Sequence, residues 1–107
     1  WDKKRLEQEL QPVLAFQKRN PDARLYCGEF SVVRWAPNAD RYLRDNLEIF
    51  EKYGWDWSYH AFREFHGWSP EYDETFSDGQ RPNKSDSLTK RGEVLKEFLI
   101  KNTDPSK

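Results

Sequence analysis

Two short stretches of the sequence place an ionisable side chain at the end of a run that is typical of a β-strand. In the first, Glu29 closes an apolar run that starts at Leu25. In the second, His60 closes an alternation of large apolar and small polar residues that starts at Trp55. A carboxylate in such a place acts as a nucleophile or general base, or else pairs with a nearby cation such as Arg34. The first stretch alone does not separate these two interpretations.

The alternation of side chains along the first strand predicts the surroundings of Glu29. Successive side chains of a strand point to opposite faces. Glu29 is therefore expected on the face of Leu25 and Cys27, and Tyr26 and Phe30 on the other face. Because burying a carboxylate among apolar groups is costly, we expect Glu29 to lie at the strand's end, near water or a partner.

The composition is that of one domain at most, with few aliphatic and many aromatic residues. The 107 residues are 36% hydrophobic, 35% charged and 16% aromatic, with five Trp. Ordinary globular domains are about 45–50% apolar and about 25% charged. Such a chain is expected to share its core with other polypeptide, or to present aromatic rings to a ligand.

Charge and hydropathy argue against two kinds of partner. The 18 basic residues are balanced by 19 acidic ones, so the chain has no general attraction for nucleic acid or an anionic membrane. It contains no apolar run of about 18 residues that would span a membrane.

His66 has no second ligand at a useful spacing, so we predict no metal site. The single cysteine, Cys27, is expected to be a small buried hydrophobic residue. Since the chain begins with Trp1 rather than Met, we expect it to start inside a longer protein.

Hydrophobic periodicity predicts helices around the two strands. The predicted order is helix 2–19, strand 24–30, helix 39–52, strand 55–60 and helix 87–102. In the last helix the residues expected to point inward are Leu88, Val94, Leu95, Phe98 and Leu99. Pro12 is expected to kink or split the first helix. Asn38 is a predicted N-cap and Gly54 a predicted C-terminal cap of the second helix. The long connection 62–85 precedes the last helix, and connections of this length are often functional.

The order of elements predicts a βαβ unit in a parallel sheet. Parallel sheets are usually broad and covered on both faces, and two strands are too few for one. The chain is therefore interpreted as part of a larger α/β fold.

The two motifs resemble the C-terminal part of glycoside hydrolase family 5, a family of retaining (β/α)8-barrel cellulases, mannanases and relatives. Residues 24–31, Arg-Leu-Tyr-Cys-Gly-Glu-Phe-Ser, are similar to the family's seventh strand, which ends in a Gly-Glu-Phe-Gly-like sequence whose Glu is the nucleophile. Residues 54–60, Gly-Trp-Asp-Trp-Ser-Tyr-His, are similar to the eighth strand with its Trp-Xaa-Tyr-Trp-like sequence. The resemblance covers about residues 5–102 in element order. Ser31 replaces the usual Gly, and His60 stands where the family has a Trp under the sugar in subsite −1.

The resemblance implies an α/β fold that is the C-terminal portion, from about helix 6 to helix 8, of a (β/α)8 TIM barrel. Residues 1–107 would be one segment of a single catalytic domain, with residues 103–107 as a frayed tail. A complete barrel takes about 250 residues, so this portion is incomplete on its own. Its implied partners are the N-terminal segment of the same barrel, which carries the acid/base Glu, and a β-glucan substrate.

The implied activity is that of a retaining endo-β-1,4-glucanase (a cellulase) working by double displacement, with Glu29 as nucleophile and no cofactor. Location outside the cell or at its surface is also implied. His60 either donates a hydrogen bond to a sugar hydroxyl or to Glu29, or is a buried histidine paired with Asp56. Trp35 and Trp68 lie in loops of the implied catalytic face, where an aromatic ring either packs on a sugar or packs within its loop. The aromatic residues of the second strand, Trp55, Trp57 and Tyr59, are expected to face the helices as core.

Two other classes of protein stay open from the sequence. A non-catalytic carbohydrate-binding module would also use exposed aromatic rings. Such modules are mostly β-sandwiches with many short strands, whereas this sequence predicts three helical stretches. A small helical interaction domain would bury its aromatic residues in a core, and it would leave the strand with Gly28 and Glu29 without a role.

Overall fold

The computed structural model describes residues 2–75 and 84–101. The elements are α1 (Lys3–Glu9), α2 (Gln11–Arg19), β1 (Tyr26–Phe30), α3 (Ala39–Tyr53), β2 (Asp56–Tyr59) and α4 (Lys90–Ile100). None of these helices is both long and apolar enough to cross a lipid bilayer. The predicted tail, residues 103–107, lies outside the described residues, as does part of the connection 62–85.

The two strands pair in parallel, as the order of elements predicted. α3 connects the end of β1 to the start of β2 and packs between α1 and α4. The side chains that α3 buries form the centre of the core together with residues of α1, β2 and α4. The buried core residues are Leu6, Leu43, Leu47, Ile49, Phe50, Trp55, Val94, Leu95 and Phe98.

Pro12 splits the first helical region into two short helices, as predicted. α1 ends at Glu9 and α2 begins at Gln11, so Pro12 lies in the first turn of α2. A proline is tolerated there because the first N–H groups of a helix have no intrahelical acceptor. Asp2 caps α1, and its carboxylate accepts a hydrogen bond of 2.8 Å from the main-chain N–H of Arg5.

The last helix begins three residues later than predicted. Thr89 is its N-cap, and the Thr89 side chain accepts a 3.0 Å hydrogen bond from the N–H of Gly92. Leu88 therefore precedes the helix and is exposed, and Leu99 lies on the solvent side of α4. The prediction that both leucines point inward is wrong, because α4 buries one narrow face against α3. The buried residues of that face are the predicted ones, Val94, Leu95 and Phe98.

Residues in the left-handed conformation bracket α3. Gly54 has φ 70° and ψ 29° and ends the helix, as predicted. Asn38 has φ 56° and directly precedes Ala39, but its side chain makes no capping hydrogen bond. The predicted position of this helix start is therefore right, and the predicted side-chain cap is wrong.

Replacing Gly54 by alanine is expected to lower the free energy of unfolding by about 1 kcal/mol, because a Cβ disfavours the left-handed conformation. Crowding does not contribute, since no atom beyond the two neighbouring residues lies within 4 Å of a Cβ built at Gly54. Asparagine tolerates this conformation better, so Gly54→Asn should cost less than Gly54→Ala. Urea unfolding of both variants measures the difference, and equal losses would show that backbone conformation is not the cause.

Candidate active site

An extra residue in β1 decides where Glu29 points. Cys27 pairs with Trp57 and Phe30 pairs with Tyr59, so three steps along β1 match two steps along β2. Such a β-bulge shifts the alternation of side chains by one residue. The face of the sheet on which each side chain lies therefore shifts by one residue between Cys27 and Phe30.

The bulge contradicts the predicted faces of β1. Leu25, Cys27 and Phe30 all pack against the hydrophobic core, whereas the side chain of Glu29 is 71% exposed. Glu29 therefore does not share the face of Leu25 and Cys27. A strict alternation would have placed the carboxylate among apolar side chains, and the bulge avoids this cost.

Glu29 and His60 meet at the carboxyl ends of the two parallel strands. The Nε2 atom of His60 lies 3.9 Å from Oε1 of Glu29 and 3.0 Å from Oε2 of Glu64. His60 directly follows β2, and its main-chain N–H donates a 3.0 Å hydrogen bond to the carbonyl of Phe30. That bond continues the ladder of the sheet and holds the two candidate side chains next to each other. Sequence reasoning missed Glu64, because it lies in an irregular segment with no periodic pattern.

The structure overturns the alternative pairing of His60 with Asp56. Asp56 is the first residue of β2, and His60 follows its last residue, so the strand separates them by about 13 Å at about 3.3 Å per residue. Asp56 instead accepts hydrogen bonds from the guanidinium of Arg24, including one of 3.2 Å from Nη2. This partner lowers the pKa of Asp56.

The aromatic residues of β2 form core, as predicted. Phe30 makes edge-to-face contacts with Phe50, Trp57 and Tyr59, at centroid distances of 5.2, 5.8 and 5.7 Å. Burial raises the pKa of Tyr59. These contacts hold the sheet against α3 and leave the opposite face, with Glu29, open.

Trp68 joins Glu29 and His60 at this site. Its ring lies 5.5 Å from the imidazole of His60 and 4.8 Å from the ring of Phe65. The hydroxyl of Tyr59 donates a hydrogen bond to the main-chain carbonyl of Trp68. The Nε1 atom of Trp68 is buried and has no hydrogen-bond partner among the described residues.

Trp35 has different surroundings from the other predicted site residues. It is exposed in the segment that follows β1, and the guanidinium of Arg34 lies 5.4 Å from the centre of its ring. Arg34 itself is buried and donates to main-chain carbonyls of residues 73 and 75. The alternative in which Glu29 is the partner of Arg34 therefore finds no support in these contacts.

The structure also describes the surroundings of Cys27 and of the potential metal ligands. Cys27 is half-buried against the core, and burial raises the pKa of its thiol. In the part of the chain that the structure describes, no group of three or more His, Cys, Asp or Glu residues is placed to hold a metal ion.

The site thus combines an exposed carboxylate, an imidazole and an indole at one edge of a parallel sheet. A carboxylate there is accessible to an electrophilic carbon, and polar groups beside an aromatic ring suit a sugar, which has hydroxyls at its rim and apolar C–H groups on its faces.

Comparisons with known proteins add no relative: no protein-family model matches the chain, and no curated protein matches it.

Proposed function

We propose that this chain is part of a retaining β-glycosidase of the endo-β-1,4-glucanase type, with Glu29 as the nucleophile. The observation that carries the proposal is the meeting of Glu29 and His60, 3.9 Å apart, at the carboxyl ends of neighbouring parallel strands. Enzymes built on (β/α)8 barrels carry their catalytic residues at that end of the strands. The proposed fold is accordingly the last part of such a barrel, in which β1 and β2 are the seventh and eighth strands.

The proposed reaction proceeds in two displacements. A carboxylate oxygen of Glu29 attacks the anomeric carbon, the glycosidic C–O bond breaks, and an acid delivers a proton to the leaving oxygen. Water, deprotonated by the conjugate base of that acid, then attacks the same carbon and releases Glu29. Retaining enzymes hold the two carboxyl groups about 5–5.5 Å apart. The acid/base Glu belongs to the proposed N-terminal segment, on the fourth strand of the barrel.

The exposure of Glu29 places a requirement on this proposal. A side chain that is 71% exposed lies on an open face, and nucleophilic catalysis depends on a site that restricts water. The remaining strands of the barrel must therefore enclose this face. They would also cover the ring of Tyr26, which is exposed on β1.

The other site residues have supporting roles in the proposed enzyme. In the proposed enzyme His60 donates a hydrogen bond to a sugar hydroxyl or to Glu29, at the position where the resemblance implies a Trp. Trp68 and Trp35 supply aromatic surface for the substrate. Hydrolysis of this kind needs no cofactor. Because polymeric glucan does not cross a membrane, the proposed enzyme acts outside the cell or at its surface.

The helical content favours this proposal over a carbohydrate-binding module of the β-sandwich type. The described residues form helices and one pair of parallel strands. A sandwich would instead consist of two antiparallel sheets.

Covalent trapping tests the proposed nucleophile. A 2-deoxy-2-fluoro-β-cellobiosyl fluoride slows both displacements but keeps a good leaving group, so the glycosyl-enzyme accumulates. In the protein assembled with its N-terminal segment, peptide mass spectrometry is expected to find one fluorocellobiosyl group on Glu29. The Glu64→Gln variant serves as control and should be labelled in the same way. Label on a different carboxylate would overturn the assignment of Glu29.

A further inference from the structure

Two buried arginines converge on the segment that carries Trp68. Arg34, in the segment after β1, is 2% exposed, and Arg91, in the first turn of α4, is 3% exposed. Residues 67–75, which we name the Trp68 loop, lie against both of them. Burial lowers the pKa of Arg91.

The guanidinium groups donate to main-chain carbonyls of the Trp68 loop. Arg34 Nη1 donates to the carbonyl of Asp73, at 3.0 Å, and to that of Thr75. Arg91 Nη1 donates to the carbonyl of Trp68 at 3.5 Å, and its Nη2 donates to that of Tyr72. The two arginines thus bind four carbonyls spread over the length of the loop.

Arg91 makes no salt bridge with any residue that the structure describes. A buried cation is costly unless hydrogen bonds compensate it, and the carbonyl dipoles of the loop supply this compensation. Buried main-chain carbonyls in turn need donors, and an irregular loop lacks the donors that a helix or sheet provides. The rigid fork of a guanidinium satisfies several acceptors in one fixed geometry, which lysine does not.

Further contacts at the same place hold the start and the middle of the loop. The main-chain N–H of Arg34 donates a 2.6 Å hydrogen bond to the carbonyl of Gly67. The Thr89 hydroxyl, next to α4, donates a 2.5 Å hydrogen bond to the carbonyl of Pro70. The loop is thereby held between the segment after β1 and the start of α4. In this position the Trp68 ring lies against His60.

We propose that Arg34 and Arg91 are positioning residues for the carbohydrate site, because their contacts with the Trp68 loop hold the indole beside His60. This inference rests on the proposed function and adds two residues to its site. Neither arginine touches the substrate; both act through the main chain of the loop.

The test replaces Arg91 by glutamine in the assembled protein, with Arg44→Gln as matched control. Arg44 is half-exposed and pairs with Glu97, at 2.7 and 3.0 Å, on the surface between α3 and α4. Both variants lose one positive charge, but only Arg91→Gln loses donors to the loop. Hydrogen exchange, read by mass spectrometry, reports on loop amides such as that of Ser69, which donates to the carbonyl of Phe65 at 3.1 Å. Steady-state kinetics with cellohexaose report on binding.

Arg91→Gln is expected to speed exchange in the Trp68 loop at least about tenfold, while exchange in α3 stays as in the wild type. KM should rise about 10- to 100-fold, the effect of a misplaced binding group, with kcat within about twofold. Arg91→Lys keeps the charge but loses the planar fork of the guanidinium. Its loop exchange rate and its KM should lie between those of the wild type and those of Arg91→Gln. Arg44→Gln should leave exchange and KM unchanged.

Three outcomes would overturn the inference: unchanged exchange in the loop, exchange that rises equally in α3, or faster loop exchange with an unchanged KM. Failure of the proposed function gives a different result. A wild-type protein that does not hydrolyse cellohexaose, or a fully active Glu29→Gln variant, removes the proposed site itself and with it the positioning role.

Discussion

Replacing Glu29 by glutamine in the proposed enzyme, assembled with its proposed N-terminal segment, is expected to lower kcat for β-1,4-glucan by about four orders of magnitude or more. The amide is close to the carboxylate in size but is a poor nucleophile, so the proposed first displacement would lose its attacking group. Losses of this size are typical when the nucleophile of a covalent mechanism is removed. The folded structure should be unaffected, because Glu29 lies on the open face of the sheet and its side chain is exposed.

Glu64→Gln provides the matched control for this experiment. Glu64 also lies within ion-pair distance of His60, at 3.0 Å, but it is not proposed to attack the substrate. Its replacement is expected to change kcat less than about tenfold. Initial rates on soluble β-glucan measure both variants, and addition of azide to Glu29→Ala should restore turnover as a glycosyl azide. Near-normal turnover of Glu29→Gln would refute the assignment.

The second large effect is expected from Phe50→Ala, which should lower the free energy of unfolding by about 3–5 kcal/mol. Phe50 is 3% exposed on α3, and its ring contacts Phe30 at 5.2 Å and Trp55 at 6.0 Å. Alanine would leave a cavity at the point where α3 meets the sheet. The substitution is also expected to disturb the position of Glu29, because Phe30, which packs on Phe50, is the next residue of β1.

Phe16→Ala is the control for the core substitution. Phe16 lies on α2 and is 44% exposed, so the same change of side chain removes little buried surface. It is expected to cost less than about 1 kcal/mol. Urea unfolding followed by Trp fluorescence compares the two variants. Similar losses would show that the packing of α3 on the sheet does not dominate stability.

Where a pattern is local and repeated, the sequence predicts the structure well. The apolar spacing of α3 predicts its buried face, and Gly54 predicts its end, because a helix of fifteen residues offers many positions that agree with one period. The split at Pro12 follows from the missing N–H of proline. The parallel pairing of the strands follows from the order of elements.

Where one residue changes a register, the alternation of side chains along the strand no longer predicts the faces correctly. The bulge in β1 reverses the predicted faces of Glu29 and Phe30. Gly28 lies inside the bulged segment, and a lone glycine in a strand often marks a bulge, but the prediction assumed strict alternation. The start of α4 is set by Thr89, whereas several polar residues before it were equally suitable caps. The ends of short elements are hard to predict from sequence, because a single capping hydrogen bond outweighs a weak pattern of apolar residues.

The amino-acid sequence by itself determined which segments form helices and strands, and it singled out Glu29, His60 and Trp68 as candidate site residues. The tertiary structure alone decided that these three meet, that Glu29 faces away from the core, and that Glu64, Arg34 and Arg91 lie around them. The physical reason is the range of the interactions. Periodicity and backbone conformation act within a few residues, whereas Arg91 reaches carbonyls about 20 residues away along the chain. Such contacts exist only after the sheet, α3 and α4 have packed together.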